Sequence, residues 1–190
     1  MQQFFEYLIK KKTGKADLTF AEMKAAGYPE FRLVSTNVTQ HKPVVFSVEH
    51  TPDLSVSKAM RLSTSVPYVF AAETLNNDVY ADGGVLRNFD IDEFDNISAQ
   101  DRTIGFYLMN SQAKVTPITG FLNYSTRLMA LIKNQQYYDL ISESHDVKRS
   151  IFIDVLNIGS MDFGIDKEHR IALMESGKAA TVKYLQEWKA

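Results

Sequence analysis

The chain has 190 residues, 45% of them hydrophobic and 23% charged, the balance of a globular polypeptide and not of a disordered one. The formal net charge is −2 and there is no cysteine. Near-neutrality excludes nucleic-acid binding driven by phosphate neutralisation, and the missing thiols exclude disulfides, cysteine nucleophiles and thiolate-bound zinc.

In chain order, the first element is a helix in "MQQFFEYLIKKKTG". Phe4, Phe5, Leu8 and Ile9 form its stripe, Lys10 to Lys12 close it, and Thr13-Gly14 breaks it. Its charges follow the apolar part, the reverse of a secretory leader, so a cytoplasmic location is the expectation. "LTFAEMKAAG" reads as a short helix, with Thr19 and Glu22 at capping-box spacing and Gly27 as its stop. "FRLVSTNV" and "KPVVFSVEH" read as two strands joined by a turn at Gln40 to Lys42. Asp53 or Ser55 then caps a helix carrying Val56, Ala59, Met60 and Ser63. Pro67 ends it near Ser65, because the residue before a proline is pushed out of the helical region.

Asn76-Asn77 is a turn, and "DVYA" is a short strand running into Asp82-Gly83-Gly84. A polar connection through Asn88, Asp90, Asp92 and Asp95 leads to "RTIGFYLM", whose unbroken apolar run predicts a strand covered on both faces. Thr116-Pro117 opens a long helix to about Ser142, with Phe121, Tyr124, Leu128, Leu131, Ile132 and Tyr138 at spacings of three and four. "SIFIDVLNI" is a further strand. A last helix, from about Lys167 to Trp188, is expected to turn Ile171, Met174, Val182, Leu185 and Trp188 inward. Helices interleaved with strands predict a single α/β domain over residues 1–190, layered around a largely parallel sheet. No stretch approaches the ~18 apolar residues of a membrane span. His41, His50, His145 and His169 lie too far apart for helical metal-ligand spacing, so neither a metal nor another cofactor is expected.

"VYADGG" carries the chemistry. A carboxylate, Asp82, ends an apolar strand, and Gly83 and Gly84 let the chain turn sharply and another backbone come close. Ligands of open α/β sheets gather at the carboxyl ends of strands, where an aspartate can take a proton from a hydroxyl nucleophile. Asp-Gly is also among the commonest turn dipeptides, and these residues by themselves leave both readings open.

The surrounding stretch, "SKAMRLSTSVPYVFAAETLNNDVYADGGVLRNF", resembles the patatin-like phospholipase family. The matching residues are Ser63, Pro67 and Phe70 of a Ser-x-x-x-Pro-x-x-Phe pattern, then Asp82-Gly83-Gly84, then Asn88. Phe89 stands where the family often has proline. "ADLTFAEMKAAG", "FRLVSTNVTQHKPVVFSVEHTPDLSVSKAM" and "DFGIDKEHRIALMESGKAATVKYL" extend the similarity over nearly the whole chain. The resemblance implies a three-layer α/β/α fold and a lipid acyl hydrolase with a Ser-Asp dyad. Asp82 would be the base, Gly83 and Gly84 its motif glycines, and a lipid or ester the substrate.

The family's glycine-rich oxyanion loop and its Gly-x-Ser-x-Gly elbow are absent from the sequence. Ser160, after Gly159, does not sit in an elbow, and Ser63 and Ser65 near a helix end are expected to be satisfied locally. The chain therefore looks like the C-terminal portion of a patatin domain, with its N-terminal strands and nucleophile missing and the missing half as a partner. A bare strand edge and bare apolar helix faces should follow. The alternative is a non-catalytic lipid-binding or protein-interaction module derived from the same fold. Tyr124, Tyr137, Tyr138 and Trp188 are expected in the core, Arg61 in a surface pair, and Lys10 to Lys12 as a solvated helix end that at most touches a membrane surface transiently.

Overall fold

A computed structural model describes residues 1–95, 103–111, 117–159 and 162–188. The chain divides into two compact units, Met1–Asp90 with Gly120–Gln136, and Ile91–Thr119 with Tyr137–Ala190.

The first unit opens with α1 (Gln2–Thr13), ended by Gly14 in the left-handed region at φ 85°, its N–H on Lys10 O at 2.8 Å. In α2 (Phe20–Ala25) the capping box is complete. Thr19 Oγ1 accepts the Glu22 N–H, and the Glu22 carboxylate accepts the Thr19 N–H at 3.0 Å. β1 (Leu33–Asn37) and β2 (Lys42–Phe46) form the expected antiparallel hairpin, with Leu33 opposite Phe46 and Asn37 opposite Lys42. α3 (Val56–Ser63) starts at Ser55, whose hydroxyl accepts the Lys58 N–H. β3 (Glu73–Leu75), which the sequence reading lacks, pairs with β4 (Asp78–Asp82) across Asn76-Asn77. Both asparagines have positive φ, as a two-residue hairpin turn of the right twist requires.

These strands form one sheet in the order β2-β1-β4-β3, and every pairing in it is antiparallel. This corrects the largely parallel sheet expected from the alternation of elements. Short turns join β1 to β2 and β3 to β4, and a short turn allows only the antiparallel sense; β1 and β4 pair antiparallel across a long connection through α3. The core of the unit is Phe20, Phe46, Val56, Ala59, Leu62 and Tyr80, so α2 and α3 bury their apolar stripes against the sheet. Tyr80 and Phe46 meet with ring centroids 5.7 Å apart.

The second unit holds β5 (Gly105–Met109) and β6 (Ser150–Asp154), paired in parallel from Gly105–Ser150 to Met109–Asp154. α4 (Phe121–Ser142) runs from the first unit into the second, and α5 (Ser144–Lys148) precedes β6. Tyr137 of α4 stacks on Tyr107 and Phe152 on one face of the pair, while α6 (Lys167–Trp188) packs on β6 over the other, where Ile153 meets Gly177. This unit is therefore a small three-layer α/β/α arrangement. Arg149, buried at the start of β6, is gripped by Asp95 at 2.5 Å and Asp146 at 2.8 Å, which hold its guanidinium far above its ordinary range.

Three expectations about burial are overturned. β5 is covered on one face only: Tyr107 is buried, but Phe106 and Leu108 are 58% and 66% exposed. α6 turns Ile171, Met174, Val182, Leu185 and Trp188 outward and lays a stripe of smaller residues on β6. There the Ser176 hydroxyl bonds Asp154 O at 2.8 Å, and Gly177 lets the helix approach closely. Tyr124, Tyr138 and Trp188 are exposed, and of the four aromatics expected in the core only Tyr137 packs against the sheet. The start of α4 falls at Phe121, and the expected opening residue Thr116 lies outside the described residues.

Candidate active site

Asp82 is the last residue of β4, opposite Ser35 of β1, half-buried at the strand's end. Its backbone is held from two sides. Its N–H donates to Ser65 O at 3.0 Å, and Thr36 Oγ1 donates to its carbonyl at 3.0 Å. The carboxylate caps the 3-10 turn Gly83–Val85, with Oδ1 accepting the Gly84 N–H at 2.8 Å. Among the described residues no hydrogen bond reaches Oδ2, so one oxygen is fixed by the backbone and the other keeps its acceptor capacity.

Each glycine has a separate steric reason. A Cβ on Gly83 would stand 2.4 Å from Val34 O, so the strand end meets β1 backbone to backbone. A Cβ on Gly84 would stand 2.8 Å from Asp82 Oδ1 and 2.7 Å from Asn88 Oδ1, inside the cap itself. Asp82 does not sit on a parallel sheet, however, so the carboxyl-edge rule that singled it out does not apply to β4. The carboxylate is placed by its hairpin, its cap and the Ser65 carbonyl.

α4 supplies a brace that has no motif in the sequence. Gln136 Nε2 donates to Val85 O at 3.2 Å and Gly84 O at 3.4 Å, and its Oε1 accepts the Asn88 N–H at 2.6 Å. One side chain thus ties both sides of the loop after Asp82. The signal available was a stripe at helical spacing, Ser125, Met129, Lys133 and Gln136, on a helix otherwise rich in large apolar residues.

Behind the strand end lies Arg61, which is buried and not in a surface pair as expected. It donates to Ser65 Oγ at 2.6 Å and Ala71 O at 2.8 Å, and pairs with Glu73 at 3.2 Å. Lys58 also bonds Glu73, at 2.6 Å, and this bond chiefly holds the Glu73 carboxyl below its ordinary value of 4.5. The network fixes the segment from Ser65 to Glu73, and with it the carbonyl that receives the Asp82 N–H.

Neither nearby serine hydroxyl is idle. Ser65 Oγ donates to Arg61 O at 2.8 Å, and Ser63 Oγ donates to Val34 O at 2.5 Å. Ser160 lies outside the described residues. Among the described residues no three His, Asp or Glu side chains converge to hold a metal, and no helix is long and apolar enough to cross a membrane.

Residues 2–95 match the family described as patatin-like phospholipase, a span that includes α1 to α3, β1 to β4 and Asp82-Gly83-Gly84. An uncharacterized protein of Acanthamoeba polyphaga mimivirus is 30% identical over 185 residues, covering 93% of this chain and 60% of its own length. A probable lipid hydrolase of Invertebrate iridescent virus 6 is 38% identical over 60 residues, 32% of this chain and 21% of its own length. The uncharacterized protein YqhO of Bacillus subtilis is 26% identical over 175 residues, 83% of this chain and 57% of its own length. The chain thus spans less than two thirds of the length of each of these relatives. The crystal structure of VipD from Legionella pneumophila superposes with a TM-score of 0.63 at 16% identity, over 91% of this chain and 36% of VipD, and shares its fold. By the family match and the Asp82-Gly83-Gly84 motif it contains, residues 2–95 are a patatin-like phospholipase segment, and the chain shares the fold of VipD.

Proposed function

We propose that this chain is the base-carrying part of a lipid acyl hydrolase that works through a Ser-Asp dyad. Asp82 takes the proton of a serine hydroxyl as that serine attacks an ester carbonyl, and backbone N–H groups receive the oxyanion. The observation that carries the reading is the asymmetric carboxylate, with Oδ1 tied to the Gly84 N–H and Oδ2 without a hydrogen bond among the described residues. The serine comes from residues outside these 190, because the sequence has no Gly-x-Ser-x-Gly and the Ser63 and Ser65 hydroxyls are committed to backbone carbonyls.

The exposed Phe106 and Leu108 on β5 support completion by further polypeptide, since a strand bare on one face lacks a covering layer. The same exposed surface favours the second reading, a non-catalytic lipid-binding or interaction module. Hydrolysis of a p-nitrophenyl ester separates the two. Residues 1–190 alone should give no turnover above buffer. Adding the upstream half of a patatin domain in trans should produce turnover. A folded complex that stays inactive would favour the binding module.

A further inference from the structure

We propose that Gln136 is a positioning residue for the candidate base: it holds the backbone of Gly84 so that Asp82 keeps Oδ1 bound and Oδ2 open. The proposal deepens the dyad reading and rests on it for a role in a reaction, though not for its geometry. Among the described residues the anchor of the Asp82 carboxylate is the Gly84 N–H at 2.8 Å. The carboxylate is therefore only as fixed as that N–H. Gly83-Gly84 has no side chain to restrict its own dihedrals, so the restraint has to come from elsewhere. Part of it is local. Gly83 O, on the same peptide as the Gly84 N–H, accepts Leu86 N–H at 3.2 Å and Arg87 N–H at 2.8 Å. The next two carbonyls, Gly84 O and Val85 O, take Gln136 Nε2 at 3.4 and 3.2 Å, and Gln136 Oε1 takes the Asn88 N–H at 2.6 Å. Gln136 thus fixes the far side of Gly84, which the turn itself leaves free.

The chemistry of the loop selects the side chain. Two carbonyls and one N–H converge on it, so the brace has to donate and accept at once. A glutamine amide does both. A glutamate of the same size only accepts, and would set its charge against two carbonyl oxygens. The place is also sheltered. Gly84 is buried, Gln136 is half-buried, and Lys133, one helical turn earlier, lays its Cε 3.5 Å from where a Gly84 Cβ would stand. Hydrogen bonds lost there are poorly replaced by water. The core of this unit is Phe20, Phe46, Val56, Ala59, Leu62 and Tyr80, and no residue of α4 belongs to it. Loss of the brace should therefore loosen the loop that carries the carboxylate and leave the fold in place.

Amide hydrogen exchange, followed by NMR on the purified chain, tests this without any reaction. Gln136→Glu and Gln136→Leu should each speed exchange of the Gly84 N–H by about tenfold. The amides of the β1–β2 hairpin should keep their native protection. An unchanged Gly84 rate in both variants would overturn the proposal, and so would an equal gain across the hairpin, which would mean general loss of stability. In the complemented protein, Gln136→Glu should lower kcat for a p-nitrophenyl ester by about tenfold and leave KM as it was, because the side chain acts through the base and not on the ester. Added to Asp82→Asn it should lower the rate no further, since aiming a group that cannot take a proton gains nothing. A full further tenfold loss in the double variant would make Gln136 a structural residue and overturn the proposal. Faster Gly84 exchange with no hydrolysis in any complemented protein would sink the dyad reading and leave the brace on Asp82 standing. Unchanged Gly84 exchange beside Asp82-dependent hydrolysis would do the reverse.

Discussion

Gly83 has a conventional backbone conformation, so its identity is a matter of space: any Cβ would press into the Val34 carbonyl at 2.4 Å. Gly83→Ala should therefore lower stability by about 1–3 kcal/mol, as overpacking of a rigid contact does, read as a lower urea midpoint. Gly84→Ala should act differently, because its Cβ meets the ends of two side chains, Asp82 and Asn88, which can move. Its main effect should fall on the cap of the 3-10 turn. Asp82 and both glycines were legible as a motif, and the strand end was correctly read from "DVYA". What the sequence hid is why the carboxylate stays put. The Ser65 carbonyl, the Arg61 network and the Gln136 brace come from segments 17 to 54 positions away in the chain, with no local pattern announcing them. Replacing Arg61 by methionine should cost about 2–3 kcal/mol, because charged hydrogen bonds to Ser65 and Ala71 are lost and Glu73 keeps only Lys58. Chemical denaturation measures this.

The elements with strong local chemistry were read where they stand. The Thr19 and Glu22 capping box, the Gly14 stop and the β1–β2 hairpin each depend on residues a few positions apart, and the structure closes all three. Thr19→Ala should remove about 1 kcal/mol through the lost cap, seen as a lower thermal midpoint. Strand sense and burial were read less well, because both depend on which surface an element meets. An apolar stripe does not by itself mark the buried side. In α6 the contact with β6 is made by Ser176 and Gly177, and in α4 the contact with the Asp82 loop is made by Gln136. At the β3 end of the sheet, Glu73 sets a pH dependence. Its carboxyl is held below 4.5 in the folded chain, first by the Lys58 hydrogen bond and also by Arg61. The stabilisation is present above the unfolded value and is lost as pH falls through the depressed folded value. Stability measured from pH 6 to pH 3, as about the range to cover, should fall less steeply in Glu73→Gln than in the native chain.

At the scale of the whole chain, exposed apolar surface is the feature with the broadest consequence. Phe106 and Leu108 on β5, the outward faces of α4, and those of α6 all meet solvent, and surface of that kind drives association. The purified chain should self-associate with rising concentration, and light scattering should report it. In the proposed reading, added polypeptide seats on this surface, which links the physical state of these 190 residues to the proposed hydrolase. The central claim is that Asp82 is the proton acceptor of a dyad whose serine lies elsewhere. Asp82→Asn tests it most directly, because the amide oxygen can still accept the Gly84 N–H and preserve the cap, while the side chain can no longer take a proton. The measurement is the rate of ester hydrolysis by the complemented protein with and without this substitution, at matched thermal stability. The account predicts a fall of about a thousandfold or more, as for the loss of one member of a catalytic unit. An Asp82→Asn protein that folds, assembles and hydrolyses at the native rate would contradict it.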